Sequence, residues 1–380
     1  MKILILRTFP DELNIKSYNV QEIGLARALT EEGHQCDIAL YTKGKERIEE
    51  ISVQEKKITI YWMNGINILK NLFWNPKILK IIKQYDIIQS CEYDQIYNTY
   101  LYNKIGNKLV LYHGPYYAIF NKRYNFKCKI FDTIFLSKKY RNINIISKSQ
   151  LATAFLKSKG FYNITTVGVG LNNQAFENNN NNNNQQIDMI NSKNKHLLYI
   201  GKLEERRNIL FLIDILKDIN KTRKDIDLIL IGKGTQKYVD SINEYIKINN
   251  LTDKVILIDK LEQSKIKSIY KKSEVFLLPT KYEIFGMVLL EAMYFGIPTI
   301  TTMNGGSSTI IQNNKNGFIV ETKNKELWIK NIFNILGNQK LKENISKNAH
   351  DTIKNKFLWN KLTKEFIKVY KGAINNEKIK

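Results

Sequence analysis

Short runs of aliphatic and β-branched residues alternate with helical patterns along the whole chain, and this alternation limits the fold more than any other feature. In the first half the runs fall at 2–6, 35–41, 58–63, 86–89, 108–112, 143–146 and 164–167. In the second half they fall at 196–200, 228–231, 255–258, 275–278 and 299–302. Helical periodicity separates most of them, as at 20–32 and 150–159. Strand–helix alternation at this spacing predicts parallel sheets covered on both faces. A chain of 380 residues exceeds what one core usually supports. The two series of runs therefore predict two doubly wound α/β domains, 1–172 and 195–356.

Between them lies "FENNNNNNNQQIDMINSKNK", with seven consecutive asparagines at 178–184. Such a run has nothing to bury and favours neither helix nor strand. It reads as a flexible linker over 173–194, or alternatively as a surface loop of the second domain. At the far end, "FLWNKLTKEFIKVYKG" has the 3.6-residue apolar period of an amphipathic helix, which sets 357–380 apart as a terminal helical segment.

The three cysteines, Cys36, Cys91 and Cys128, are scattered, which excludes a disulfide framework and gives no zinc spacing. No run of about 18 apolar residues could form a membrane span, and "MKILILRTFPDELN" lacks the plan of a secretory leader. The expected location is the cytoplasm. The net charge of +23 comes from 59 Lys and Arg against 36 Asp and Glu. It fits an anionic partner, and equally a composition in which Lys, Asn and Ile are raised together.

In open α/β sheets, ligands bind beyond the carboxyl ends of the strands, so the loops behind strands carry the chemistry. The most specific is "PTKYEIFGMVLLEAMYFGIPTITTMNGG". A buried strand ends at Pro279, a loop follows, and a helix is predicted over 285–295, stopped by Gly296 and Pro298. A glycine near a helix start lets a ligand approach the backbone, and the free N–H groups around Gly286 and Met287 suit phosphate. Glu291, further along the helix, suits a ribose diol as a hydrogen-bond acceptor. Glu283, before the helix, would reach another part of the same ligand. "LLYIGKLEERRNI" is a second strand–loop–helix junction, and its Lys202 and Arg207 offer two cations to a diphosphate. Arg206 competes with Arg207 for that role.

Glu283 and Glu291, eight positions apart in "YEIFGMVLLEAMYFGIPTITT", resemble the E-x(7)-E signature of retaining GT-B glycosyltransferases of the family 4 type. The resemblance is strongest over 196–317. It implies two Rossmann-like domains around a cleft, with Glu283 at the donor sugar, Glu291 on the ribose, and Phe285, Gly286 and Met287 at the diphosphate. It also implies that Lys202 and Arg207 hold the leaving diphosphate, although Lys and Arg are swapped relative to the family pattern. Gly232 of "LILIGKGTQ" would line the nucleotide site, and Lys260 and Leu261 of "VILIDKLEQ" would read the base. Gly305-Gly306 of "MNGGSSTII" would form a turn near the diphosphate. The terminal helix would cross back to the first domain.

The first domain departs from the pattern. "RTFPDELNIKSYNVQEIGLARAL" has no Gly-Gly, and Lys16, Ser17 and Tyr18 stand where the closing loop would be. His113 of "LVLYHGP" follows a strand and is either a ligand of the transferring sugar or a structural histidine. Over 116–149, eight basic residues interleave with eight aromatic ones. That mixture suits anionic lipid headgroups, or else a core helix with a wet lysine face.

Asp225-Ile226-Asp227 has D-x-D spacing but precedes its strand, so it reads as a strand-entry turn and no metal or cofactor is expected. The reading that results is a metal-independent retaining glycosyltransferase. Its donor is a nucleotide-diphosphate sugar, a UDP-sugar foremost, and its acceptor a glycan or a lipid-linked glycan, as in cell-surface polysaccharide synthesis. A same-fold sugar-nucleotide epimerase is one alternative; a basic nucleic-acid-binding protein, which would leave these loops without a role, is the other.

Overall fold

The structure, a computed structural model, describes residues 1–68, 71–176, 190, 193–261 and 263–378. The asparagine run at 178–184 and most of the expected linker lie outside them. The chain divides into two compact units, Met1–Asn172 with Leu358–Lys380, and Asn173–Phe357.

In the first unit the strands are β1 (Lys2–Leu6), β2 (Gln35–Tyr41), β3 (Arg47–Val53), β4 (Lys56–Met63), β5 (Gly65–Ile68), β6 (Asn71–Trp74), β7 (Ile87–Cys91), β8 (Leu109–His113), β9 (Asn144–Ser147) and β10 (Ile164–Thr166). Among the described residues the main sheet runs β10-β9-β8-β7-β1-β2-β4-β3. All pairs are parallel except β3 with β4. Residues 3–6 of β1 are buried on both faces, as a central strand of a doubly covered sheet requires.

The sequence reading missed β3, β5 and β6. β3 is "RIEEISV", half-exposed at the sheet edge, with ion pairs Arg47–Glu49 and Lys57–Glu50 along the hairpin. Charge is how an edge strand avoids further pairing, and it also erases the apolar signal. β5 and β6 form a separate two-stranded hairpin.

Helix Trp359–Lys378 belongs to this first unit and packs on helix Gln21–Glu31. Trp359 is buried against two glycines: a Cβ added to Gly24 or to Gly170 would lie 2.2 Å from its indole. Deeper in, the Tyr370 hydroxyl donates to Gln89 Oε1 at 2.5 Å.

The second unit holds β11 (Lys195–Ile200), β12 (Ile226–Ile231), β13 (Val255–Ile258), β14 (Val275–Leu278), β15 (Thr299–Thr301) and β16 (Phe318–Ile319), all parallel, in the order β13-β12-β11-β14-β15-β16. Counted within the unit this is 3-2-1-4-5-6, a doubly wound order whose direction reverses between β11 and β14. Asp227 lies inside β12, where Asn194 and Lys254 engage its carboxylate at 2.6 and 3.3 Å, and Asp225 pairs with Arg223. The D-x-D spacing is thus taken up by structural pairs. Among the described residues, no cluster of His, Cys, Asp and Glu could hold a metal ion, and no helix is long and apolar enough to cross a membrane.

Candidate active site

The reversal between β11 and β14 leaves the loops behind these two strands side by side. Behind β11 the chain runs through Gly201 and Lys202 into a short 3-10 turn, Glu205–Arg207, and then into helix Ile209–Ile219. Lys202 is exposed, and its ammonium joins no ion pair among the described residues. Its carbonyl accepts a 2.9 Å hydrogen bond from the Tyr199 hydroxyl, whose pKa is pushed up by burial.

The two arginines of the turn separate in role. Arg207, largely buried, forms an ion pair with Glu283 from the loop behind β14. Arg206 reaches the same loop through backbone: its Nη1 donates to the Tyr282 carbonyl at 2.7 Å, and the Lys281 N–H donates to the Arg206 carbonyl at 2.9 Å. Its Nη2 also contacts Glu204 at 2.6 Å. Arg206 therefore ties the two loops together, while Arg207 brings its charge to Glu283.

The helix predicted over 285–295 spans Met287–Tyr294. Gly286 is its N-cap, with φ 83°, in the left-handed region that favours glycine, and no side chain caps the first turn. Phe285 is buried. Glu291, in the second turn, is 3% exposed and accepts a 3.0 Å hydrogen bond from the Tyr270 hydroxyl of helix Gln263–Lys272. Gly305 and Gly306 back the loop directly: added Cβ atoms would lie 1.9 Å from the Ile284 carbonyl oxygen and 1.8 Å from that of Phe285. Gly305 N–H also donates to the Glu283 carbonyl at 2.9 Å. The Gly-Gly pair thus fixes the backbone on which Glu283 sits.

Gly232, expected to line a nucleotide site, is packed against the loop behind β11, where its added Cβ would be 1.8 Å from the Gly201 carbonyl oxygen. Close contact between neighbouring loops accounts for this glycine. Lys260 is exposed and Leu261 buried just beyond β13.

Four of the expected positions fall in the first unit. Lys16 and Ser17 are exposed in a turn set by Asn14, which accepts the Lys16 and Ser17 N–H groups at 3.0 Å each. Tyr18 is half-buried, shortly before helix Gln21–Glu31. His113, at the end of β8, is fully buried, with Nδ1 2.6 Å from Glu92 Oε2. Burial opposes ionisation of Glu92, yet the charge and hydrogen bond of His113, Lys148 and the Gly114 N–H hold its carboxyl below the usual range. Sequence reasoning missed Glu92 and Tyr270. Glu92 directly follows a strand, which is a usable signal; Tyr270 lies mid-helix and gives none.

Chemically, the second unit joins lysine and arginine cations, free helix N–H groups and a buried carboxylate behind adjacent strands. Such a set can hold a phosphorylated, hydroxyl-bearing ligand.

Residues 180–352 match the model of the family described as Glycosyl transferases group 1. The chain is similar to an uncharacterised glycosyltransferase of Methanocaldococcus jannaschii, 28% identical over 186 residues, which are 49% of this chain and 47% of that protein. It is also similar to the capsular polysaccharide biosynthesis glycosyltransferase CapM of Staphylococcus aureus, 28% identical over 208 residues, 52% of this chain and 54% of that one. The chain spans about half the length of these curated relatives. In fold it is similar to the crystal structure of Anabaena HepE in complex with UDP, with a TM-score of 0.72 and 15% identity over 98% of this chain and 100% of that one. Over residues 180–352 this chain is thus similar to the glycosyl transferases of group 1, and its fold is GT-B.

Proposed function

We propose that the protein is a retaining glycosyltransferase of the family 4 type, moving a sugar from a nucleotide-diphosphate donor, a UDP-sugar foremost, to a glycan or lipid-linked acceptor. The observation that carries this is the Arg207–Glu283 pair beside the uncapped helix start at Gly286, with Glu291 buried one turn on. Lys202 and Arg207 stabilise charge as it develops on the leaving diphosphate, and the first N–H groups of helix Met287–Tyr294 share that load. Glu283, its carboxylate oriented by Arg207, meets the donor sugar. Glu291 takes the ribose hydroxyls, with Tyr270 holding its carboxylate in place. Positioning and electrostatics carry the rate, and the leaving phosphate oxygen accepts the acceptor proton on the same face, so no protein base is required. UDP in the HepE structure and the polysaccharide role in the name of CapM favour the donor and the acceptor class.

A panel of nucleotide sugars tests the reading, scored by thermal protection and by sugar release with Glu283→Ala and Glu291→Ala alongside. Protection of the wild type by one donor, weakened in both variants, is expected. If no nucleotide sugar stabilises the wild type, the reading fails.

A peripheral membrane contact through 116–149 belongs to the same proposal. Helix Lys122–Ile134 buries Cys128 and Phe131 but leaves Phe126, Ile130 and Ile134, at four-residue spacing, 64%, 44% and 66% exposed. Lys122, Arg123 and Lys129 are exposed on the same helix. An apolar row flanked by cations fits the surface of an anionic bilayer.

A further inference from the structure

An open cavity of about 840 Å³ lies in the first unit, at the amino ends of β8 and β9. Lys108 lines it one residue before β8 begins, and Asn142 two residues before β9. His113 ends β8, so a strand rise of about 3.3 Å per residue sets the cavity roughly 16 Å from that carboxyl end. The volume falls within the roughly 300–1,000 Å³ that ligand sites take.

Leu79 and Ile82 of helix Lys77–Ile82, with Tyr102 and Ile105 of helix Ile96–Ile105, give the cavity an apolar wall. Ile82 and Tyr102 are buried, and Tyr102 meets the Tyr140 ring edge-on at 5.7 Å. Lys83, Lys104, Lys108 and Lys139 line the same cavity, and among the described residues none of them pairs with a carboxylate. Lys83 follows one of the two helices and Lys104 lies in the last turn of the other, where a cation offsets the helix dipole. Lys108 and Lys139 belong to neither helix, so the dipoles do not account for them. The Tyr162 hydroxyl donates to Asn142 Oδ1, which leaves the amide N–H groups of Asn142 without a partner among the described residues. Four cations around one cavity repel one another unless an anion joins them.

We propose that this cavity binds an amphiphile made of a phosphate head on an apolar chain, with the chain against the two helices and the phosphate on the lysines. Ammonium and amide N–H groups donate to phosphate oxygens, while the four apolar side chains take the chain out of water. Inorganic phosphate would leave the apolar wall unused, and an uncharged chain would leave the lysines unpaired. The site uses no residue of the second unit and none from the carboxyl ends of the strands, so it stands whether or not the chain transfers a sugar.

Calorimetric titration of the full chain at low salt tests this, with decyl phosphate below its micelle concentration beside inorganic phosphate and decyl maltoside. Wild type should bind decyl phosphate roughly tenfold more tightly than either of the others. Lys104→Gln with Lys139→Gln should weaken that binding roughly tenfold, with little change in Tm because both side chains are exposed. Lys237→Gln with Lys247→Gln removes the same charge from exposed positions of the second unit and should leave binding as it is. Equal loss in the two double variants overturns the proposal in favour of general charge attraction, and full affinity in the first of them overturns it as well. So does a wild type that binds decyl phosphate no better than inorganic phosphate or decyl maltoside.

Discussion

Arg207 and Glu283 are ion-paired although 76 residues separate them, because β11 and β14 are neighbours at the point where the second sheet reverses its order. Each charge is largely buried, so each orients the other. Arg207→Ala should lower turnover on the nucleotide sugar by roughly 10²- to 10³-fold, the usual cost of removing a donor that meets developing charge. Arg207→Lys should fall between, since an ammonium keeps the charge but not the fork. Steady-state kinetics with thermal unfolding as a control would check both. Wild-type turnover in the alanine variant would remove Arg207 from the chemistry.

Trp359 sits where Gly24 and Gly170 leave no room for a Cβ. Trp359→Ala should cost about 3–5 kcal/mol, the range for emptying a buried aromatic site. Gly170→Ala should destabilise by collision with the indole and should cost much less in the Trp359→Ala background. Denaturant unfolding of the two single variants and the double variant measures this coupling. Strict additivity would show that the two do not share the space.

Glu274 gives a pH dependence with a definite sign. Burial opposes its ionisation, but hydrogen bonding and charge from Lys342, then Lys195, hold its carboxyl below the ordinary 4.5. A depressed folded-state pKa contributes stability that is present above the unfolded value and lost as pH falls through the folded one. Wild type should therefore exceed Glu274→Gln in Tm at neutral pH, with the gap closing below about pH 4.5. Melting curves from pH 7 to 3 test this, and a gap that widens in acid would contradict it.

Helix Lys122–Ile134 should carry the protein onto vesicles containing phosphatidylglycerol at low salt, and less so as salt rises. Each basic residue near such a surface is worth about 1 kcal/mol. Replacing Lys122, Arg123 and Lys129 together by alanine should then weaken binding on the order of 100-fold. Phe126→Ser with Ile130→Ser should weaken it without changing its salt dependence. Flotation assays separate these outcomes, and failure of the wild type to float at low salt would end the proposal.

Apart from the two-residue β16, the parallel strands of both units were legible because buried strands of doubly covered sheets are continuous apolar runs, as in residues 3–6 and 228–231. β3 was not, because an edge strand wears Arg47, Glu49 and Glu50 where a central one wears isoleucine. Glu283, Glu291, Lys202 and Arg207 could be singled out because they follow strands or open helices at spacings that chemistry explains. The split of labour between Arg206 and Arg207 could not, since adjacent residues of a 3-10 turn differ only in direction. The close contact of Gly232 with the Gly201 carbonyl was not legible either, since no local pattern reports a contact between loops 31 residues apart.

Helix Trp359–Lys378 completes the first unit from the far end of the chain, and the Tyr370–Gln89 hydrogen bond closes a span of 281 residues. Order of synthesis is therefore not order of completion. Residues 1–172 leave the ribosome before residues 358–378, so they lack Trp359 and Tyr370 until that later segment has been made. The second unit, continuous over 173–357, can finish before them. Until that helix is made the first unit is an open sheet, and it is then that a chaperone would find the most apolar surface to hold.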